Sequence, residues 1–209
     1  AVMLPRRVLN DLRRRAAADL AERRVALRAR TVVEPDALAA LRSGLGSSTP
    51  PPAPRAPHLT VLVRTLDQLD AVLAWQPPAG FARPAAVYCD FEDLRRYQDA
   101  VPRGRAAGVP IGVAPLRVLK PGEDGFQSLV VRADPDIVLV RNLGSIAYFK
   151  AALPNARLVG DFSLNVANEL TADLLVREGL DRLVPSYDLS WDQLAAMVRA
   201  SNADWFEPV

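Results

Sequence analysis

One phrase recurs through this chain and limits what it can fold into: a short apolar run, a polar turn, then an amphipathic stretch. It begins at residues 59–63 (LTVLV), followed by TLDQLDAVLAW at 65–75. AAVYC at 85–89 leads into DFEDLRRYQDAV at 90–101, and PIGVA at 110–114 precedes a helical pattern at 123–133. DIVLV at 136–140 precedes LGSIAYFKAAL at 143–153, and RLVG at 157–160 precedes a helix closing on Gly179. DRLVPS at 181–186 precedes SWDQLAAMVRAS at 190–201, and DWFEPV at 204–209 reads as a seventh strand just starting. The units fall about 20 to 27 residues apart. Repeated strand-then-helix units imply parallel strands joined by right-handed crossovers. The runs are rich in Val, Ile and Leu without alternation, as strands buried on both faces are. A closed barrel of this kind takes eight units. The expectation is therefore an α/β, TIM-barrel-like parallel (β/α) domain over 59–209, incomplete at six to seven units. An open doubly wound sheet is the rival, and the missing glycine-rich dinucleotide turn counts against a nucleotide-binding version of it.

Ahead of these units the character changes. Residues 5–29 predict one long helix, with Pro5 in its first turn and Val8, Leu12, Ala16 and Leu20 recurring every fourth residue. Nine arginines fall within residues 1–30 against three acids, although the whole chain carries a net charge of only +2. That helix reads either as a nucleic-acid-facing surface or as a solvated connection, and it lacks the aromatics that stack on bases. A short second helix is expected at 35–43. The Gly-, Ser- and Pro-rich stretch 44–58 reads as a linker, so the expected division is 1–43, 44–58 and 59–209. Gly44 and Gly46 follow no strand and lack a third glycine, which rejects a nucleotide-binding loop. His58, the only histidine, has no evident partner.

Composition removes several function classes. The single cysteine, Cys89, excludes a disulfide framework and any paired-cysteine metal or redox motif within the chain. No metal-ligand spacing is visible. No apolar run approaches the roughly 20 residues needed to span a bilayer, and no signal-peptide pattern opens the chain. A cytoplasmic protein without a membrane partner is the expectation.

In a parallel barrel the ligand site is built from the C-terminal ends of the strands. Those positions are Arg64, Asp90, Arg117, Arg141 with Asn142, Asp161 with Ser163 and Asn165, and Ser186 with Tyr187. The segment 157–168 is the most polar of these ends, with Asn165 or Asn168 capping the following helix. Three arginines at one mouth suit a carboxylate or phosphate, unless they pair with Asp90 and Asp161 and simply close the barrel top. Cys89 reads as a small buried hydrophobe, and no serine–histidine or cysteine–histidine pair assembles.

Four phrases in order, LPRRVLNDLRR (4–14), LVRNLG (139–144), VGDFSLNVAN (159–168) and LVPSYDLSWDQL (183–194), resemble the collagenase-like peptidase family U-32. The resemblance spans most of the chain outside the linker. It implies a TIM-barrel-like catalytic region, with Arg141, Asn142, Asp161, Asn165, Asn168 and Ser186 in the barrel-mouth set. It also implies a peptidase-class activity on peptide substrates. Alternatively, it implies oxygen-independent hydroxylation of RNA bases or a quinone, using an iron–sulfur cluster held by cysteines that this chain lacks. On that view the chain is part of a longer parent with flanking domains, and the cluster is the parent's cofactor. A non-catalytic RNA-binding or scaffold module remains a third reading. Open barrel edges predict a homodimer.

Overall fold

The computed structural model describes residues 5–31, 33–45 and 58–209. The expected linker therefore lies mostly outside the described residues. The chain divides into two compact units between Leu41 and Arg42.

The first unit is dominated by helix α1, Arg6–Arg28, which buries none of its residues. Its Pro5 sits at the N-cap position, where a missing amide hydrogen costs nothing. Helix α2 covers Ala37–Gly44, close to the expected position.

The second unit is a curled, incomplete α/β barrel. Strands β1 (Thr60–Val63), β2 (Ala86–Cys89), β3 (Ile111–Val113), β4 (Ile137–Val140), β5 (Arg157–Gly160) and β6 (Arg182–Leu183) are all parallel and lie in chain order. Helices α3 (Leu66–Ala74), α4 (Tyr97–Ala107), α5 (Asp124–Ala133), α6 (Gly144–Ala152) and α7 (Glu169–Arg177) supply the five crossovers, and α8 (Trp191–Arg199) follows β6. Sequential order without a switch point separates this sheet from the doubly wound alternative.

Side chains alternate across the sheet as the pleat requires. Val63, Val87, Cys89, Ile111, Val113, Val138, Val140, Leu158 and Leu183 join the large core beneath the helices. Ala86, Tyr88, Ala114, Ile137, Leu139 and Val159 form a second buried cluster on the concave face. Burial on both faces explains why the strands read as continuous apolar runs.

Two elements differ from expectation. The helix expected at 90–101 is replaced by a 3-10 turn at Leu94–Arg96 followed by α4. Phe91 turns inward to pack on Tyr97 with the rings tilted by 33°, and Asp93 accepts a bond from Arg95 N to start the turn. The helix also runs through Pro102 to Gly108, a left-handed C-cap at φ 69°. The expected strand at 204–209 is a 3-10 turn at Ala203–Trp205 and then one parallel bridge, Leu183 to Phe206. Asn202 accepts from Asp204 N, a local bond that competes with strand pairing. Among the described residues no helix is long and apolar enough to cross a membrane.

Candidate ligand site at the barrel mouth

Extending the concave-face register past the strand ends puts a polar residue from five of the six strands on the rim. From β2 that residue is Asp90, from β4 Arg141, from β5 Asp161, from β6 Ser186 and from β1 Arg64. The ladder continues far enough to hold them, because Asp90 N donates to Val63 O at 2.9 Å and Asp161 N to Val140 O at 2.8 Å. Period-2 alternation alone thus delivers alternating charges to one rim.

Those charges are paired. Arg141 grips Asp90 with both terminal nitrogens at 2.8 Å, and its Nε faces Asp161 Oδ2 across 3.4 Å. Arg141, Asp90 and Asp161 side chains are only 8%, 13% and 5% exposed. Burial by itself raises Asp90, but the Arg141 hydrogen bond and charge, with Arg64 and Arg117 behind them, outweigh it and hold the carboxyl below its ordinary value. Burial lowers Arg141 and the same partners, Asp90 before Asp161, outweigh it in turn. Arg141 Nε is the buried side-chain donor left without a hydrogen bond among the described residues. Ser163 Oγ lies 2.9 Å from Arg141 O and 3.0 Å from Asp161 Oδ2, so its single proton serves one of them at a time.

The other two arginines stay outside this buried unit. Arg64 reaches Asp90 only at 3.7 Å and is 69% exposed. Beside it runs a cleft of about 340 Å³ lined by Arg64, Thr65, Phe91, Glu92 and Arg96. Arg117 sits 4.4 Å above the ring of Phe162, and Tyr187 stacks on Phe162 at 4.1 Å with 13° between planes. Arg117 and Tyr187 thus both pack on the Phe162 ring, and Tyr187 remains 57% exposed.

The remaining expected residues serve the backbone. Asn142 accepts from Ser145 N and Oγ at 3.0 and 2.9 Å, and the buried Gln127 donates to Ser145 Oγ at 2.9 Å. Asn165 takes a left-handed conformation, φ 53°, at the end of the 3-10 turn Phe162–Leu164. Asn168 is the residue that caps α7, accepting from Thr171 N at 2.8 Å. Ser186 is buried and accepts from Asp188 N at 3.3 Å. The structure therefore gathers Asp90, Asp161 and Ser163 around Arg141, with Arg64 at the outer side of Asp90, and joins Arg117 to Tyr187 through Phe162. Asp90, the residue after β2, was among the expected strand-end positions as a partner for the arginines. Phe162, the stacking partner, was not expected, and it carried no spacing signal.

Nucleophilic chemistry has little to work with at this rim. Cys89 is buried on the helix side, and burial pushes its thiol up to about 12, far from thiolate formation at neutral pH. His58 lies before β1, at the strand end opposite the mouth, so Ser163 has no imidazole beside it. An iron–sulfur cluster takes several thiolates. The lone buried Cys89 does not fit such a group.

No family profile and no curated protein matches the sequence. Solved structures do match. A U32 peptidase, Mk0906, superposes with a TM-score of 0.50 over 74% of this chain and 70% of that one, at 13% identity. A thiamine phosphate pyrophosphorylase from Pyrococcus furiosus gives 0.45 over 73% of this chain and 84% of that one, at 12% identity. The chain has a U32-like fold, and at this identity the likeness is one of fold.

Proposed function

We propose that this U32-like half-barrel belongs to an enzyme of that type and binds an anionic, nucleotide-like ligand at its mouth. The observation that carries the reading is the contact of Arg117 and Tyr187 with the Phe162 ring on the rim, in which Tyr187 stays 57% exposed. A planar ring laid on Tyr187 gains an aromatic contact. Arg117, and Arg64 with its largely exposed 3.7 Å contact to Asp90, are the rim cations outside the buried pairing and can turn to an anionic group. Arg141 has a different task. With both Asp90 and Asp161 on it, its charge is neutralised internally, and it holds the rim in shape.

Hydroxylation of a nucleobase or a quinone ring accords with this division of labour better than peptide hydrolysis does. In such chemistry a cofactor supplies the reactivity and the protein positions a flat substrate. Hydrolysis requires an activated nucleophile, and Ser163 beside a carboxylate, without an imidazole, is a weak candidate.

The test is titration of the 209-residue chain with AMP, inorganic phosphate and adenosine as separate probes, followed by calorimetry or NMR. AMP is expected to bind saturably and less tightly at high salt. Stacking of a base on an aromatic ring is worth about 1–3 kcal/mol, so Tyr187→Ala weakens AMP about 5- to 150-fold. Arg117→Ala weakens AMP and phosphate together. Absence of saturable AMP binding, or binding unchanged in both variants, refutes the reading. Phosphate binding with no gain from the adenine ring removes the nucleotide-like part of it.

A further inference from the structure

Glu207 has no part in the ligand site, yet its side chain is only 12% exposed. It follows the bridge between Phe206 and Leu183, and its own amide donates to Leu183 O at 2.9 Å, which fixes the segment against β6. From there the carboxylate crosses the hollow of the sheet. Oε2 accepts from Tyr88 Oη on β2 at 2.6 Å, and Oε1 lies 3.4 Å from Arg182 Nη1 at the start of β6.

The Tyr88 ring has its place on the concave face because β3 carries glycine opposite it. A Cβ at Gly112 would stand 2.3 Å from Tyr88 Cδ1. The phenol is buried, and burial with the Glu207 carboxylate beside it keeps the hydroxyl protonated as a donor. Arg157, at the start of β5, also acts on this phenol.

This contact joins the second strand to the segment beyond the sixth, positions that the sheet order places far apart. A sheet with free edges is not held to one curvature by its ladder in the way a closed barrel is. A short hydrogen bond to a carboxylate across the hollow supplies that constraint. Both anchors lead straight to the rim on the same inward row: Tyr88 stands two residues before Asp90, and Arg182 four before Ser186.

We propose that Glu207 is a positioning residue, a tie across the lumen that fixes the curvature of the half-barrel and thereby the separation of Asp90 from Ser186 at the mouth. The tie acts with or without ligand, so it stands apart from the reading of what the mouth binds.

The test uses the whole chain with Glu207→Ala, Glu207→Gln and Tyr88→Phe. Amide hydrogen exchange is measured residue by residue, together with the NMR resonance of Arg141 Nε–H. Glu207→Ala is expected to accelerate exchange at least tenfold at the amides of Asp90 and Ser186 as well as within 203–207, and to move the Arg141 resonance. Glu207→Gln, whose amide oxygen still accepts from Tyr88, is expected to restore most of the protection. Acceleration confined to 203–207, or no rescue by Gln, overturns the proposal. Should Glu207→Ala fail to fold, Tyr88→Phe keeps the ring and removes only the hydroxyl. Unchanged exchange at Asp90 and Ser186 in that variant overturns it equally.

Discussion

Replacing Arg141 by methionine is the sharpest probe of the rim. The substitution keeps an unbranched side chain of useful volume and removes the one cation held by two buried carboxylates. Breaking a buried ion pair from one side costs about 3–5 kcal/mol, because the partner charge is left without compensation. All three groups are at most 13% exposed, so solvent screening takes little from that figure. Whole domains are stable by only about 5–15 kcal/mol, so the loss is a large share of the total. The pH dependence identifies the cause. In the native protein Asp90 is held below its ordinary value. Its contribution is therefore present above about pH 4 and is lost as pH falls through the lowered value. In the variant, burial of Asp90 is no longer outweighed, so its carboxyl rises and protonation relieves the unpaired charge. The gap between native and variant is widest near pH 7 and narrows as pH falls through 5 and 4. Urea unfolding followed by tryptophan fluorescence reports it, since Trp75, Trp191 and Trp205 all belong to the barrel unit. Arg141→Lys keeps the charge, gives up the two-pronged grip, and is expected to fall between the two. A loss below about 1 kcal/mol at pH 7, or one that does not change with pH, refutes the assignment of Arg141 as the buried counter-ion.

Two further outcomes concern the elements that carry the rim. Gly112→Ala drives a methyl into the Tyr88 ring, which is itself enclosed. Overpacking of this kind costs about 1–3 kcal/mol, visible as a lower urea midpoint with the slope unchanged. Asn168→Ala removes the cap of the nine-residue α7 and is expected to cost about 1 kcal/mol. Asn168→Asp, which retains the acceptor, should restore it in the same thermal-melt comparison.

The fold was legible because each unit announces itself locally. A Val/Ile/Leu run, a turn residue and an amphipathic stretch recur with the spacing of parallel strands, and β1 to β5 fall within a residue or two of the runs, while the sixth run, 181–186, is reduced to Arg182–Leu183. The exceptions are instructive. The expected helix at 90–101 begins only at Tyr97, because Phe91 turns into the core to pack on the Tyr97 ring and that aromatic contact outweighs helix propensity ahead of it. The expected seventh strand shortened to one bridge because Asn202 spends its side chain on a local turn.

Sequence by itself determined which residues stand at the strand ends, since position in a βα unit and period-2 alternation depend only on the order of residues. It named Arg64, Arg141, Asp161 and Ser163 for that reason. How those side chains are used was decided by tertiary structure alone. Arg141 could have faced solvent and a ligand; curling of the sheet instead places Asp90 and Asp161 on either side of it, and burial makes pairing the only affordable state. Asn168 became a cap while Asn165 became a left-handed turn residue, a choice set by where α7 begins. Phe162 touching Arg117 and Tyr187, and Tyr88 reaching Glu207, join residues 25 to 119 positions apart. No local pattern encodes such contacts, because they exist only once the curvature of the sheet brings its distant strands face to face.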